Sequence, residues 1–312
     1  MVARRLRVEY RSGKLNRMCR MTFAAVAVAA ALSPLQAQQV PGRDLFHFPL
    51  GTLAEAPALA TAAGGGFWNP ATLALRNDSR LLASLSALDS PDEQGVSAQV
   101  GTLAYRVRSS VTAGLSVAQS SVSGILRTDT DPHSIGDAVP YHSTILSAIV
   151  AIAHGPATFG VALRRRSASV DDAGGVVTSA DVGGTIDRPA GLPLRAAVSS
   201  FLMAPVHKIE RASALAAIEA YLPVTASDVR AGVSYQHDQG SGDESFAYAS
   251  ARTSIFDIRG GIARQTGFGN VTTRLRLGVG LRYAEYLVGV AREEGTSGLQ
   301  PSYQFLLTRV FK

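Results

Sequence analysis

The sequence predicts an all-β fold, an antiparallel transmembrane β-barrel of about 14 strands preceded by a short N-terminal segment of different character. Three observations carry this. The chain opens with an export signal, it holds no apolar run long enough to span a bilayer as a helix, and its remainder alternates oily and polar residues at period two.

The signal comes first. Arg4, Arg5, Arg7, Arg11, Lys14, Arg17 and Arg20 precede an apolar run from Thr22 to Leu32, and Leu35-Gln36-Ala37 supplies a small-residue cleavage site. Residues 1–37 are therefore read as a signal peptide cut after Ala37, with Met18 and Met21 as alternative initiators. The run is about eleven residues, where a membrane-crossing helix needs roughly twenty. The formal charge of +6 sits in this segment, which holds seven of the 30 basic residues and one of the 24 acidic ones, leaving 23 of each beyond it. A neutral mature chain excludes the basic surface expected of a nucleic-acid partner. The single cysteine, Cys19, lies ahead of the apolar core of the signal, so the mature chain has no disulfide, thiolate metal site or thiol nucleophile.

From residue 78 onward, segments of roughly 9 to 13 residues alternate in character and are separated by turn residues. The clearest is Thr273 to Tyr283, where Thr273, Leu275, Leu277, Val279, Leu281 and Tyr283 alternate with Arg274, Arg276, Gly278, Gly280 and Arg282. Three arginines on one strand face cannot enter a dry core unpaired, but they can line a lumen while the leucines meet lipid. Val229, Ala231, Val233 and Tyr235 alternate with Arg230, Gly232, Ser234 and Gln236 in the same way, and Phe246, Tyr248 and Ser250 oppose Ala247, Ala249 and Ala251 more weakly. The predicted strands are 78–89, 97–107, 110–120, 142–153, 157–169, 176–186, 191–203, 209–222, 227–237, 244–253, 256–266, 272–282, 284–293 and 302–312. Connections after odd-numbered strands are long and those after even-numbered strands are mostly short, as in barrels whose two ends face different compartments. Tyr105, Tyr221, Tyr235, Tyr283, Tyr286 and Tyr303 fall near strand ends, where amphipathic rings suit the headgroup zone. In Arg164-Arg165-Arg166 consecutive side chains point to opposite faces, so one of them is expected to reach the lipid surface.

Residues 38–77 differ. They contain Pro41, Pro49 and Pro57, an alanine-rich stretch from Ala54 to Ala63, and Gly64-Gly65-Gly66-Phe67-Trp68-Asn69-Pro70-Ala71. Asn69 before Pro70 is a helix start: the amide caps a free N–H, and proline fits the first position, where its missing N–H costs nothing. A short helix is predicted through Leu73-Ala74-Leu75 toward Asn77. The glycines lack the spacing and terminal Gly-Lys-Ser/Thr of a phosphate loop.

The run Gly66-Phe67-Trp68-Asn69-Pro70-Ala71, shortly before the first strand of an exported chain, resembles the amino-terminal region of the FadL-like and PorV-like outer-membrane proteins. The resemblance rests on Asn69, Pro70 and Ala71 and implies a plug-like segment ahead of a fourteen-stranded barrel. It further implies passive transport of small, hydrophobic molecules or, alternatively, a non-transporting adaptor for a secretion or envelope protein. The C-terminal stretch Tyr303 to Lys312 resembles the assembly signal of such barrels, with the usual terminal aromatic displaced by Lys312.

No motif fixes an enzyme. Asp129, Asp131, His133, Asp137 and His142 are the best metal or hydrolytic candidates, and they read as a solvated loop; His154, His207 and His237 lack a motif-fixed partner. No catalytic residue, metal or cofactor is expected. The lumen-facing candidates are Arg230, Arg274, Arg276 and Arg282, read as paired with acidic residues inside the barrel. The expected protein is a monomer of the cell outer membrane. Its expected partners are membrane lipids, the outer-membrane assembly machinery, and either a small hydrophobic ligand or an envelope protein.

Overall fold

The computed structural model describes residues 41–311 apart from 62, 76–79, 92–94, 126–138, 172, 205–209, 225–226, 239–241, 268–269 and 296–298. The signal peptide, Asn77, His207 and the loop residues Asp129, Asp131, His133 and Asp137 lie outside the described residues.

Fourteen antiparallel strands close on themselves: β1 (Leu81–Asp89), β2 (Val96–Arg108), β3 (Val111–Ile125), β4 (Val139–His154), β5 (Ala157–Val170), β6 (Ala173–Asp187), β7 (Leu194–Met203), β8 (Ser213–Leu222), β9 (Asp228–Asp238), β10 (Gly242–Arg252), β11 (Phe256–Gly267), β12 (Asn270–Tyr283), β13 (Tyr286–Glu293) and β14 (Ser302–Phe311). Each pairs with its neighbours in the chain, and β1 pairs with β14 from Leu81↔Phe311 to Asp89↔Tyr303. Every predicted strand has its counterpart. The largest departures have local causes. Strands β3 and β4 run past the predicted ends because their ladder continues through Val122↔Tyr141 and, after a bulge, Ile125↔Val139. Strand β8 starts later than predicted, and the Arg211 carbonyl just ahead of it accepts a hydrogen bond from Arg43 Nη1 instead.

Alternation sorts the side chains. On β12 Leu277 is 45% exposed on the outer face, whereas Arg276 is 4% exposed on the inner one. Around the ring Leu103, Leu115, Leu146, Phe159, Val198 and Ile262 are likewise outward and exposed, a continuous apolar exterior that water does not tolerate on a soluble protein. This is a membrane β-barrel. Tyr105, Tyr283 and Tyr286 stand outward at the end with short turns, and Tyr235 and Tyr303 outward at the end with longer connections. Arg165 is the outward member of its triplet, while Arg164 and Arg166 are buried inward. Phe246 and Tyr248 also turn inward, because β10 pairs them with Ser234 and Gly232 on the inner face of β9.

The described residues of 41–75 lie inside this ring. Residues 41–75 are almost wholly buried and touch inward residues of strands around the circumference, from Ile145 and Ile149 on β4 to Gly278 on β12 and Gly289 on β13. Three short 3-10 turns, Asp44–His47, Pro57–Leu59 and Pro70–Ala74, and one isolated bridge, Gly65↔Asn69, give the described part of the segment its regular structure. The strand interior therefore packs against its own N-terminal chain.

Replacing Leu277 by arginine should cost about 2–4 kcal/mol, the range for a cation at mid-membrane on a lipid-facing strand. Denaturant unfolding from lipid vesicles measures this; an unchanged midpoint would remove the lipid-facing assignment.

Candidate functional site

The candidate site is the occupied lumen, and its first element is a glycine seat. Asn69 is extended at φ −142° and ψ 110°, and its Oδ1 accepts the Ala71 N–H at 3.0 Å while Pro70 opens the 3-10 turn. Its Nδ2 donates to the carbonyls of Ala58 at 2.9 Å and Gly184 at 3.4 Å, tying the segment to itself and to β6. Thr72 Oγ1 donates to the Asn69 carbonyl at 2.8 Å and accepts the Gly66 N–H at 3.0 Å. Beneath this turn Gly160 and Gly183 are cross-strand partners on β5 and β6. A Cβ on Gly160 would run into the Pro70 carbonyl carbon and the Ala71 nitrogen, and one on Gly183 into Asn69 Oδ1. The predicted helix from Asn69 is thus a 3-10 turn ending at Ala74, and the contact it needs from the barrel is the absence of side chains.

A second seat lies across the lumen. Leu53 and Ala54 adopt left-handed φ of 51° and 59°, which costs non-glycine residues of order 1–3 kcal/mol each unless the surroundings impose it. Leu53 is held against Gly278, Gly280 and Gly289, where added Cβ atoms would lie 2.6 Å from its carbonyl oxygen or 2.8 to 3.5 Å from its methyl groups.

Between the seats, aromatic rings fill the lumen. Phe46 and Phe67 stack with centroids 4.7 Å apart, Trp68 meets them edge-on at 5.3 and 5.5 Å, and Phe201 from β7 closes on Phe46 at 4.7 Å. Trp68 Nε1 donates to the Leu50 carbonyl at 2.8 Å, so the indole is buried with its polar atom satisfied. The Arg164 guanidinium lies 5.3 and 5.2 Å from the Phe46 and Phe67 centroids while pairing with Asp181 and donating to the Phe67 carbonyl.

Ion pairs tie the segment to the wall toward both mouths of the lumen. Toward the long connections Arg43 reaches Asp238 at 2.7 Å and Glu210 at 3.3 Å, and Arg166 joins Glu210 at 2.5 Å. Toward the short turns Glu55 bridges Arg195 at 3.2 Å and Arg259 at 2.9 Å. Burial pushes the Glu55 carboxyl up, but Arg259 and Arg195 together hold it below its ordinary 4.5.

The four arginines singled out from sequence all turn inward. Arg274 contacts Glu244 at 3.0 Å and Glu293 at 2.5 Å, and Arg276 contacts the same carboxylates at 2.7 and 2.8 Å. Arg230 pairs with Glu219 at 3.0 Å and with Asp228, and Arg282 with Asp257 at 3.1 Å. They form two groups rather than one, on opposite ends of the lumen. Sequence reasoning splits Arg164-Arg165-Arg166 between the two faces without saying which members turn inward, and it misses Arg195 and Arg259. Strand parity could have found Arg259, since Ile258 and Ile262 mark the outer face of β11. Arg43 and Glu55 lie outside any strand, where no periodicity applies.

A cavity of about 90 Å³ opens at the long-connection mouth, lined in part by Phe48, Pro49, Leu88, Arg274, Glu293 and Leu299. Among the described residues no three metal-ligating side chains come together. His237 pairs with Asp243 at 2.6 Å on the exposed rim.

No protein-family model and no curated protein matches the sequence. Solved structures do share the fold. The toluene transporter TbuX of Ralstonia pickettii superposes with a TM-score of 0.56 at 12% identity, covering 84% of this chain and 99% of that one. A FadL homologue of Pseudomonas aeruginosa gives 0.55 at 10% identity over 85% and 98%, and the toluene transporter TodX of Pseudomonas putida 0.56 at 11% over 82% and 95%. The fold is that of FadL-like barrels.

Two outcomes check the seats and the ties. Gly160→Val should destabilise the folded barrel by about 1–3 kcal/mol through overpacking against Pro70 and Ala71, read as a lower thermal unfolding midpoint. Glu55→Gln should cost about 3 kcal/mol, because it leaves two buried guanidinium groups short of a partner. A depressed carboxyl contributes fully above pH 4.5 and loses its effect as the pH falls through its lowered value. The acid loss of stability should therefore be shallower in Glu55→Gln than in the parent, and identical pH profiles would remove Glu55 from the docking scheme.

Proposed function

We propose that this chain is a channel of the bacterial outer membrane that passes small hydrophobic molecules without chemistry. The observation that carries the reading is a closed fourteen-stranded barrel whose lumen is occupied by its own N-terminal segment. Such a lumen is not a standing aqueous pore. A molecule crossing it has to move beside, or displace, the ring cluster of Phe46, Phe67, Trp68 and Phe201, and those surfaces favour apolar and aromatic guests. The shared fold with toluene transporters and a monoaromatic hydrocarbon channel supports the same substrate class.

Entry begins at the long-connection mouth, where Phe48, Leu88 and Leu299 offer apolar wall beside the Arg274–Glu293 pair. The charged groups act as a scaffold there. Each guanidinium offsets a carboxylate, so a neutral guest meets little net field. The glycine seats and the Glu55 and Arg43 ties keep the N-terminal segment in place at rest, and passage requires a local shift of the chain between them.

The direct test is entry of labelled toluene into vesicles carrying the full processed chain. Uptake faster than in empty vesicles, and faster again when Glu55→Gln loosens the segment, is the expected result. Uptake equal to that of empty vesicles for both proteins would overturn the reading.

A further inference from the structure

At the short-turn mouth the guanidinium groups outnumber the carboxylates that meet them. Arg195, Arg230, Arg252, Arg259 and Arg282 converge there, and their ion-pair partners are Glu55, Glu219, Asp228 and Asp257. The imbalance concentrates at Asp257. This carboxylate is 1% exposed and already engages Arg259 in a two-pronged pair, with Nε on Oδ1 and Nη2 on Oδ2, both at 2.9 Å. The same Oδ2 then receives Arg252 at 3.2 Å and Arg282 at 3.1 Å. Arg259 has Glu55 as a second partner, but Arg252 and Arg282 have only this shared oxygen as an ion-pair partner among the described residues.

These two are also the open ones. Their side chains are 28% and 34% exposed, against 4% for Arg259. Arg282 donates through Nη2 alone, so its Nε and Nη1 edge is unused among the described residues. A guanidinium presents its donors as a planar fork that fits two oxygens of a carboxylate or phosphate. Arg282 alternates with outward Leu281 and Tyr283, and Arg252 is the cross-strand partner of Asp257, so both face the lumen and not the lipid.

We infer that Arg252 and Arg282 form a site for one oxyanion head group, carboxylate or phosphate, at the short-turn mouth of the lumen. Two sources share that chemistry: the acid head of an amphipathic molecule leaving the lumen, or a free anion of the compartment beyond it. The first source rests on the transport reading; the site itself does not.

Calorimetric titration of the full processed chain, extracted in mild detergent, tests this with octanoate, methyl octanoate and inorganic phosphate as probes. Arg252→Gln and Arg282→Gln should each weaken octanoate binding about tenfold, the loss of one charged hydrogen bond, and leave methyl octanoate unchanged. Arg282→Lys keeps the charge and should recover part of the affinity, which separates an anion contact from simple misfolding. Phosphate binding that falls with the same variants while octanoate does not would also support the site and assign it to a free anion. If neither octanoate nor phosphate responds to either substitution, the inference is overturned. Failure of methyl octanoate to bind at all would count against transport of hydrophobic molecules, while the phosphate titration would still decide the anion site.

Discussion

Closure of the strand ring is the constraint on which everything else rests. A sheet edge in hydrocarbon would leave a row of N–H and C=O groups without partners, at several kcal/mol for each, so the pairing of β1 with β14 is what makes a membrane-spanning sheet admissible. Closure then sorts the side chains without further instruction. With period two fixed and the outside apolar, every second residue goes to the lumen whatever its charge, and the interior inherits the arginines, carboxylates, serines and glycines of the alternating pattern.

That inheritance creates a second problem, which the N-terminal segment resolves. An interior rich in ions is stable when wet or when each ion is paired, and here residues 41–75 exclude much of the water. The pairs are therefore shared between strand and segment: Arg164 spans Asp181 and the Phe67 carbonyl, Arg43 crosses to Asp238, and Glu55 crosses to Arg195 and Arg259. Where the backbone of the segment comes nearest the wall, glycines replace charges. The Gly160–Gly183 pair receives Asn69-Pro70, and Gly278, Gly280 and Gly289 receive Leu53. Docking thus combines long-reach charge contacts with short-reach backbone fit.

The barrel was legible because its signal is repetitive. Alternation is reinforced on strand after strand, so even the stretches 176–186 and 204–222, whose ends no clear turn residues mark, yield strands that match β6 and β8. The ends were less so, since ladder extension at Ile125↔Val139 depends on the partner strand and not on local residues. The inward turn of Phe246 and Tyr248 escaped notice for a related reason: apolar residues normally mark the lipid side, and only a lumen already containing apolar chain makes an inward ring favourable. The Asn69 cap could be read from Asn-Pro alone, but its glycine seat could not, because nothing local links Gly160 and Gly183 to a residue some ninety positions or more away. Pairing of Arg274 and Arg276 was expected in kind, while the identity of Glu244 and Glu293 required the register of β10 and β13.

The position of the segment also has a consequence for biogenesis. Residues 41–75 precede β1, yet they end up enclosed by a ring whose final seam joins the first strand to the last. Once that seam has zipped, bulky groups such as Trp68 would have to thread between packed walls to reach their berths. The order of events is therefore constrained by geometry: the leading segment is cradled by the curling sheet before the last strand arrives. A protein made this way carries its own template, around which the wall is wrapped.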